Sequence, residues 1–285
     1  MTITGKAKLA GVIGWPVGHS LSPRLHGYWL AAHAIDGAYI PLPVQKSDFK
    51  SVLGALQKAG FAGVNVTLPH KEAAFAAADE LDNAAKAAGA VNLLLFTPDG
   101  KIIGCNTDVG GLVASLTDDL GKGALQGKSA VVLGAGGASR AAVLALGELG
   151  ARQIRIVARN PAGAGTLADA LKTNAELKAL GWDAWPRAAE GASILINATS
   201  AGMTGHPPLE LSLDPLPVSA AVCDIVYNPL ETDLLKQASA TGHRAIDGLG
   251  MLMHQAVPAF AAFYGEEPKV TPALRAELKK ALRYG

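Results

Sequence analysis

Short apolar, β-rich runs alternate with stretches of helical period from the start of the chain, the pattern of βαβ units around a mainly parallel sheet. The first run, Leu9-Ala-Gly-Val-Ile13, leads through a Gly/Pro/His/Ser loop into a helix expected from about Pro23 to Ala34. A strand near Tyr39–Leu42, a helix from Ser47 toward Ala59 and a strand over Gly63–Val66 follow, with a third helix after His70. Ala90–Phe96 and Lys101–Ile103 flank Asp99-Gly100, a dipeptide that tolerates the positive φ of a tight turn, so this pair is predicted to be antiparallel. Asp79, Glu80 and Asp82 read as one solvated helix face. A helix is expected from Asp108 to about Leu120, and the glycine-rich stretch from Gly121 to Lys128 reads as a surface loop.

A second block opens with Ser129–Leu133 and continues through strands near Ile154–Val157, Ile194–Ile196, Ala221–Val226 and Arg244–Ile246, with helical patterns in most gaps. It has the look of a nucleotide-binding sheet. Past Gly250 the pattern is helical through Phe263, and Thr271 begins a last amphipathic helix; neither has a strand partner, so both are expected to pack back on the first block.

At about 150 residues per domain, 285 residues suggest two domains. With 25 Lys+Arg against 24 Asp+Glu the formal charge is +1, which leaves no basic footprint for nucleic acid or anionic lipid. Aromatics are only 5% while glycine numbers 33, a mixture suited to close packing of helix on sheet. The first residues lack the features of a signal peptide and no apolar run reaches the length of a membrane span, so a cytoplasmic protein is expected. Cys105 and Cys223 sit in no CxxC pattern and read as buried thiols; no metal is expected. His19, His26 and His33, seven residues apart, read as solvated or hydrogen-bonded rather than as a metal face.

The clearest chemical signal is Gly134-Ala-Gly-Gly-Ala-Ser-Arg-Ala141, placed directly after an apolar strand and opening a small-residue helix. Such glycines let backbone approach a pyrophosphate, whose charge is met by free amides and the positive end of the helix. Ser139 stands at the sixth position, where the usual fingerprint has glycine. The next strand ends in Ala158-Arg159-Asn160, without the acidic residue that favours NAD; a guanidinium can instead pair with a 2′-phosphate, which favours NADP. The alternative is that Arg159 is simply a solvated strand-end residue.

Two segments of the first block read as ligand loops. Gly14-Trp-Pro-Val-Gly-His-Ser-Leu-Ser-Pro23 places Ser20 and Ser22 where hydroxyls and helix amides can converge on a carboxylate, unless one serine merely caps the helix. Asn65-Val-Thr-Leu-Pro-His-Lys71 follows the C-terminal end of a strand, where open α/β sheets bind ligands, so Lys71 could face the same crevice. Asp108, in Gly104-Cys-Asn-Thr-Asp108, stands where an aspartate taken alone is more often an N-cap than a catalyst.

In this order these segments, with Gly89-Ala-Val-Asn92, Asn197-Ala-Thr-Ser-Ala-Gly-Met203, Asp224-Ile-Val-Tyr-Asn-Pro229 and Gly248-Leu-Gly-Met-Leu-Met-His-Gln255, resemble the shikimate dehydrogenase family over nearly the whole chain. The resemblance implies reversible NADPH-dependent reduction of 3-dehydroshikimate to shikimate, in aromatic amino-acid biosynthesis. Carried over by position, Lys71 and Asp108 form the catalytic pair; Ser20 and Ser22 hold the substrate carboxylate; Asn65, Thr67, Asn92 and Gln255 bind ring hydroxyls; and Tyr227 lines the site. The cofactor NADP (NADPH) would meet Gly134, Ala135, Gly136, Gly137, Ala138, Arg159, Asn160, Thr199, Ser200, Gly248 and Met251.

The implied architecture is α/β with two domains. A mainly parallel substrate domain takes residues 1–107, completed by C-terminal helices of 248–285, and a Rossmann-type NADP-binding domain takes 108–247, with hinges near Thr107 and Gly248. The partner is a small-molecule substrate, with neither nucleic acid nor membrane, and the chain is a monomer or homodimer. Two departures from the family's habit bear on function. Leu93 stands where threonine is common, and a second basic residue often found near Arg159 would fall at Gly163, which leaves NAD use open. Ser22, where quinate-oxidising relatives often carry threonine, favours shikimate. The alternatives are a quinate/shikimate dehydrogenase using NAD or both cofactors, and a non-catalytic ligand-sensing homologue.

Overall fold

The computed structural model describes residues 3–284. The chain divides into two compact units, one made of the residues up to Asp108 together with those from Leu252 onward, the other of Val109–Met251.

In the first unit β1 (Lys8–Gly14) is followed by α1 (Ser22–Ala32), β2 (Gly37–Pro43), α2 (Phe49–Lys58), β3 (Phe61–Val66) and α3 (Lys71–Ala77). β4 (Glu80–Leu81), α4 (Asn83–Ala88), β5 (Leu93–Phe96) and β6 (Ile102–Cys105) come next, and α5 (Asp108–Leu120) starts on the last residue of this stretch and runs into the second unit. The six strands form one sheet in the order β2-β1-β3-β5-β6-β4. β1 runs parallel to β2 and β3, while β5 is antiparallel to both β3 and β6, as the Asp99-Gly100 turn requires. Gly100 takes φ +86° there.

The acidic trio is not a helix face. Glu80 lies in β4, which pairs with β6; Asp79 accepts from Ile102 N at 2.8 Å; and Asp82 caps α4 by accepting from Ala85 N at 2.6 Å. Backbone pairing to β6 outweighs the helical spacing of the charges.

The second unit carries β7 (Ser129–Leu133), α6 (Gly137–Glu148), β8 (Gln153–Ala158), α7 (Pro161–Ala170), β9 (Glu176–Gly181), α8 (Trp185–Ala189), β10 (Ala192–Asn197), β11 (Ala221–Asp224), α9 (Asp233–Ala240) and β12 (Arg244–Ile246). All its strand pairs are parallel, in the order β12-β11-β10-β7-β8-β9. Counted within the unit this is the 3-2-1-4-5-6 order of a dinucleotide-binding sheet, and the direction of winding reverses between β7 and β10. Both strands are apolar and buried, since helices cover both faces.

α10 (Leu249–Tyr264) and α11 (Pro272–Tyr284) close the chain. Tyr264 donates its hydroxyl to Ala38 O at 3.0 Å and accepts from Lys8 Nζ at 3.1 Å through its carbonyl, which ties the end of α10 to β1 and β2. Glycine at 63 makes room for this: a Cβ there would sit 2.8 Å from Phe263. His26 is neither solvated nor fully hydrogen-bonded. It lies buried in α1, stacked on Tyr39 at 3.8 Å with Nδ1 unpartnered, and burial pulls its pKa down to about 3.

Candidate active site

The loops that follow β1 and β3 are laced together before any functional side chain is placed. Thr67 N donates to Ile13 O at 2.9 Å and Trp15 N to Leu68 O at 3.0 Å, so Thr67 and the first ligand loop leave the sheet side by side. His70 then stands at the N-cap of α3. Its Nε2 lies 2.7 Å from Val44 O, which can only accept, so Nε2 carries the proton, and the ring stacks on Phe49 at 4.7 Å. With His70 clamped on both counts, Lys71 begins the helix with a fixed origin for its side chain.

Lys71 Nζ meets Asp108 Oδ2 at 2.5 Å, and both side chains are largely buried, at 17% and 8% exposure. Asp108 is not an N-cap. It is the first residue of α5, its N–H held by Asn106 Oδ1 at 3.0 Å in an Asx turn, and its carboxylate faces Lys71. The second carboxylate oxygen accepts from Asn92 Nδ2 at 2.8 Å, and Asn92 is itself oriented because its Oδ1 accepts from Thr107 N at 2.8 Å.

Around this pair the first unit gathers most of the substrate residues expected from sequence. Asn92 Nδ2 also lies 2.9 Å from Thr107 Oγ1 and 3.5 Å from Gln255 Oε1. Its two hydrogens cannot serve three acceptors, so Gln255, the most distant, takes its hydrogen bond from Thr107 Oγ1 at 3.4 Å and keeps one lone pair of Oε1 for a ligand. Asn65 donates to Asn92 O at 3.2 Å and accepts from Tyr39 OH at 2.8 Å. Ser20 Oγ accepts from Ser22 N at 3.3 Å. Leu21 is the N-cap of α1 and makes no side-chain cap bond, so neither serine caps the helix in the ordinary way.

In the second unit the glycine loop leaves β7 at its switch-point end. Gly134 has φ +106°, and a Cβ there would lie 2.9 Å from Ser139 Oγ and 3.0 Å from Thr199 Cγ2. Gly136, the N-cap of α6, is exposed and has nothing within 4 Å of a would-be Cβ. Backbone can thus be approached closely along Gly134-Ala135-Gly136, with the amides of Gly137 and Ala138 in the first helical turn. Ser139 replaces the third glycine without cost in space: it is fully buried against the loop, its Oγ unpartnered.

Arg159 lies exposed just past β8, while Asn160 caps α7 by accepting from Gly163 N at 3.3 Å, which commits its Oδ1. Thr199 and Ser200 follow β10, beside Gly134. Tyr227 is half-buried past the end of β11, and Gly248 packs against the backbone before it, since a Cβ at 248 would meet Ile225 O at 2.3 Å. Met251 is half-buried in α10.

Tyr39, Asn106 and Thr107 support the site without having been given roles from sequence. The Asn-Thr-Asp spacing was the available signal for Asn106, because an Asn two residues before a helix start is placed to close an Asx turn on its first N–H; for Tyr39, alternation signals only burial. Burial pushes the pKa of half-buried Cys105 up to about 11 and that of fully buried Cys223 higher still, so both stay as thiols. Among the described residues no group of three His, Cys, Asp or Glu could hold a metal, and no helix is long and apolar enough to cross a membrane.

Comparison with known proteins covers both units. Residues 12–94 match the model of the shikimate dehydrogenase substrate binding domain, and 117–204 that of shikimate / quinate 5-dehydrogenase. The shikimate dehydrogenase (NADP(+)) of Rhodospirillum rubrum is 50% identical over 276 residues, 96% of this chain and 98% of that one. A crystal structure of a shikimate dehydrogenase in complex with NADP+ superposes with a TM-score of 0.87 at 34% identity, covering 99% and 97% of the two chains. The quinate dehydrogenase of Corynebacterium glutamicum in complex with NAD gives 0.86 at 30%, covering 97% and 99%.

Proposed function

The chain belongs to the shikimate dehydrogenase family, and from that premise we propose that it catalyses the reversible NADPH-dependent reduction of 3-dehydroshikimate to shikimate. The observation that carries the reading is the Lys71–Asp108 pair, held from behind by Asn92. A protein that only bound its ligand would need neither a proton donor nor a carboxylate fixed to aim it.

The first unit binds substrate in this reading. Ser20 and Ser22 take the carboxylate, and Asn65, Thr67, Asn92 and Gln255 take the ring hydroxyls. Reduction turns a carbonyl oxygen into an alkoxide, and the Lys71 ammonium stabilises that charge and gives it a proton. Nζ has three donors, of which Asp108 engages one, so two remain for substrate oxygen. Asp108 keeps the ammonium from swinging away, and Asn92 keeps Asp108 from following it. In the oxidative direction the same pair accepts the hydroxyl proton.

The second unit binds the cofactor. The open backbone at Gly136 and the first-turn amides of α6 fit a pyrophosphate, and exposed Arg159, with no carboxylate beside it on the strand end, fits a 2′-phosphate. Ala135, Asn160, Thr199, Ser200, Gly248 and Met251 complete the surface we assign to NADP, which when bound supplies the hydride. As an enzyme acting on small metabolites it is assigned to the cytoplasm in this reading.

The test is initial-rate oxidation of shikimate and of quinate, each with NADP and with NAD. Fast turnover with shikimate and NADP supports the proposal. Preference for quinate or NAD moves the enzyme to the quinate-oxidising subgroup, and silence with all four pairs makes the chain a ligand sensor.

A further inference from the structure

Asp224 is fully buried at the end of β11, where no substrate reaches it and the mechanism gives it no task. Its carboxylate accepts three hydrogen bonds. Oδ1 takes Asn197 Nδ2 at 3.0 Å and Val226 N at 3.0 Å; Oδ2 takes Thr232 Oγ1 at 2.7 Å. Asn197, its register partner on β10, is equally buried.

A carboxylate can only accept, so it leaves the Asn197 amide a single orientation, with Nδ2 toward Asp224 and Oδ1 away from it. That outward oxygen accepts from both Thr199 N at 3.1 Å and Thr199 Oγ1 at 2.7 Å. Thr199 Oγ1 in turn accepts from Ala201 N at 3.1 Å, and Asn197 Nδ2 reaches back to Ala201 O at 3.3 Å. The segment after β10 is thereby curled into one conformation, with Thr199 Cγ2 and Ala198 O lying 3.0 and 3.2 Å from where a Cβ at Gly134 would stand.

We infer that Asp224 is a positioning residue for the cofactor face: acting through the Asn197 amide, its Oδ1 holds Thr199 and Ser200 against the glycine loop. The inference rests on the reading of that loop as the NADP site. Burial of an ionisable group weakens a fold more often than it strengthens it, and here it raises the pKa of Asp224 to about 6. What the carboxylate contributes is a fixed direction for an amide that would otherwise have two.

The two oxygens separate positioning from mere stability. Only Oδ1 feeds the relay, while Oδ2 serves the cap of α9 through Thr232. Titration of the full chain with NADPH, followed by its fluorescence in the absence of substrate, is therefore expected to show three behaviours. Asp224→Ala raises the NADPH Kd at least tenfold. Asp224→Asn stays within threefold of wild type, because Val226 N forces the amide oxygen to the Oδ1 position. Thr232→Val lowers the melting temperature and leaves the Kd unchanged.

A folded Asp224→Ala variant with a Kd within twofold of wild type overturns the inference, and so does a Thr232→Val variant that loses as much affinity as Asp224→Ala. Should the alanine variant fail to fold, Asn197→Ala removes the amide in the middle of the relay, a residue outside the surface assigned to NADP, and leaves Asp224 its bonds from Val226 N and Thr232 Oγ1; a raised Kd supports the relay and an unchanged one overturns it. A wild-type chain that does not bind NADPH is a different failure: it removes the cofactor reading, and with it anything for Asp224 to position.

Discussion

Replacing Lys71 by methionine keeps the aliphatic stem and removes only the ammonium. Two losses follow, and the structure allows them to be told apart. Asp108 loses a charge-assisted partner at 2.5 Å but keeps Asn92 at 2.8 Å, so the fold should weaken by about 1.5–3 kcal/mol, the worth of one hydrogen bond to a charged group. Turnover loses its proton donor, worth about 10²–10⁴-fold. At roughly 1.36 kcal/mol per factor of ten that is about 3–5.5 kcal/mol on the barrier, larger than the loss of stability and independent of it while the chain stays folded. Initial rates of shikimate oxidation, followed by the absorbance of reduced nicotinamide, should show kcat down at least 100-fold, with the KM for shikimate within a few-fold because the serines that anchor its carboxylate are untouched. A folded Lys71→Met variant with kcat within tenfold of wild type would refute the assignment of Lys71 as proton donor.

Asp108→Asn should leave the fold intact, since the Asx turn from Asn106 uses only the backbone N–H of Asp108, yet cut kcat by a hundredfold or more; kinetics like those of wild type would make Asp108 a structural residue. Gly163→Arg should raise the preference for NADP over NAD, because a Cβ at 163 meets nothing closer than 3.5 Å and the new guanidinium starts one turn from Arg159; an unchanged ratio of kcat/KM values argues against a 2′-phosphate at this corner. His26 titrates at about 3 in the fold against 6.5 unfolded, so the unfolded chain takes up the proton first and stability falls as pH drops through that window, at up to about 1.4 kcal/mol per pH unit. His26→Phe should flatten that part of a pH series of denaturant melts, and an unaltered slope would place the acid sensitivity elsewhere.

Elements were legible where one force dominates. Ser129–Leu133 and Arg244–Ile246 read as strands and are strands with those same bounds, the first because five consecutive buried positions have little else to be. Glu176–Gly181 gave no such signal. It is the edge strand of its sheet, and its lysine and glutamate face solvent, so backbone pairing to β8 rather than side-chain pattern makes it a strand. The reading of Asp79, Glu80 and Asp82 failed for the same reason. At the candidate site, motif residues could be named from sequence, but their supports could not. That Asn106 closes an Asx turn on Asp108 N, that Tyr39 orients Asn65, and that Asp224 reaches Thr199 through Asn197 all depend on which hydrogen bonds are geometrically satisfied. Such choices leave no periodicity to read.

The first unit is built from two stretches of chain with the second unit lying between them in sequence. During synthesis Val109–Met251 is therefore complete, and able to collapse on itself, while the first unit still lacks α10 and α11. Lys8 must wait 256 residues for Tyr264, and Asn92 must wait 163 for Gln255. The edge strand β2 and the aromatic face around His26 and Trp29 stay uncovered for that interval, since Phe260 arrives only with α10. A nascent chain stalled just short of α10 would thus present a finished nucleotide-binding sheet and an unfinished substrate sheet, and it is to the latter that a chaperone has something to hold.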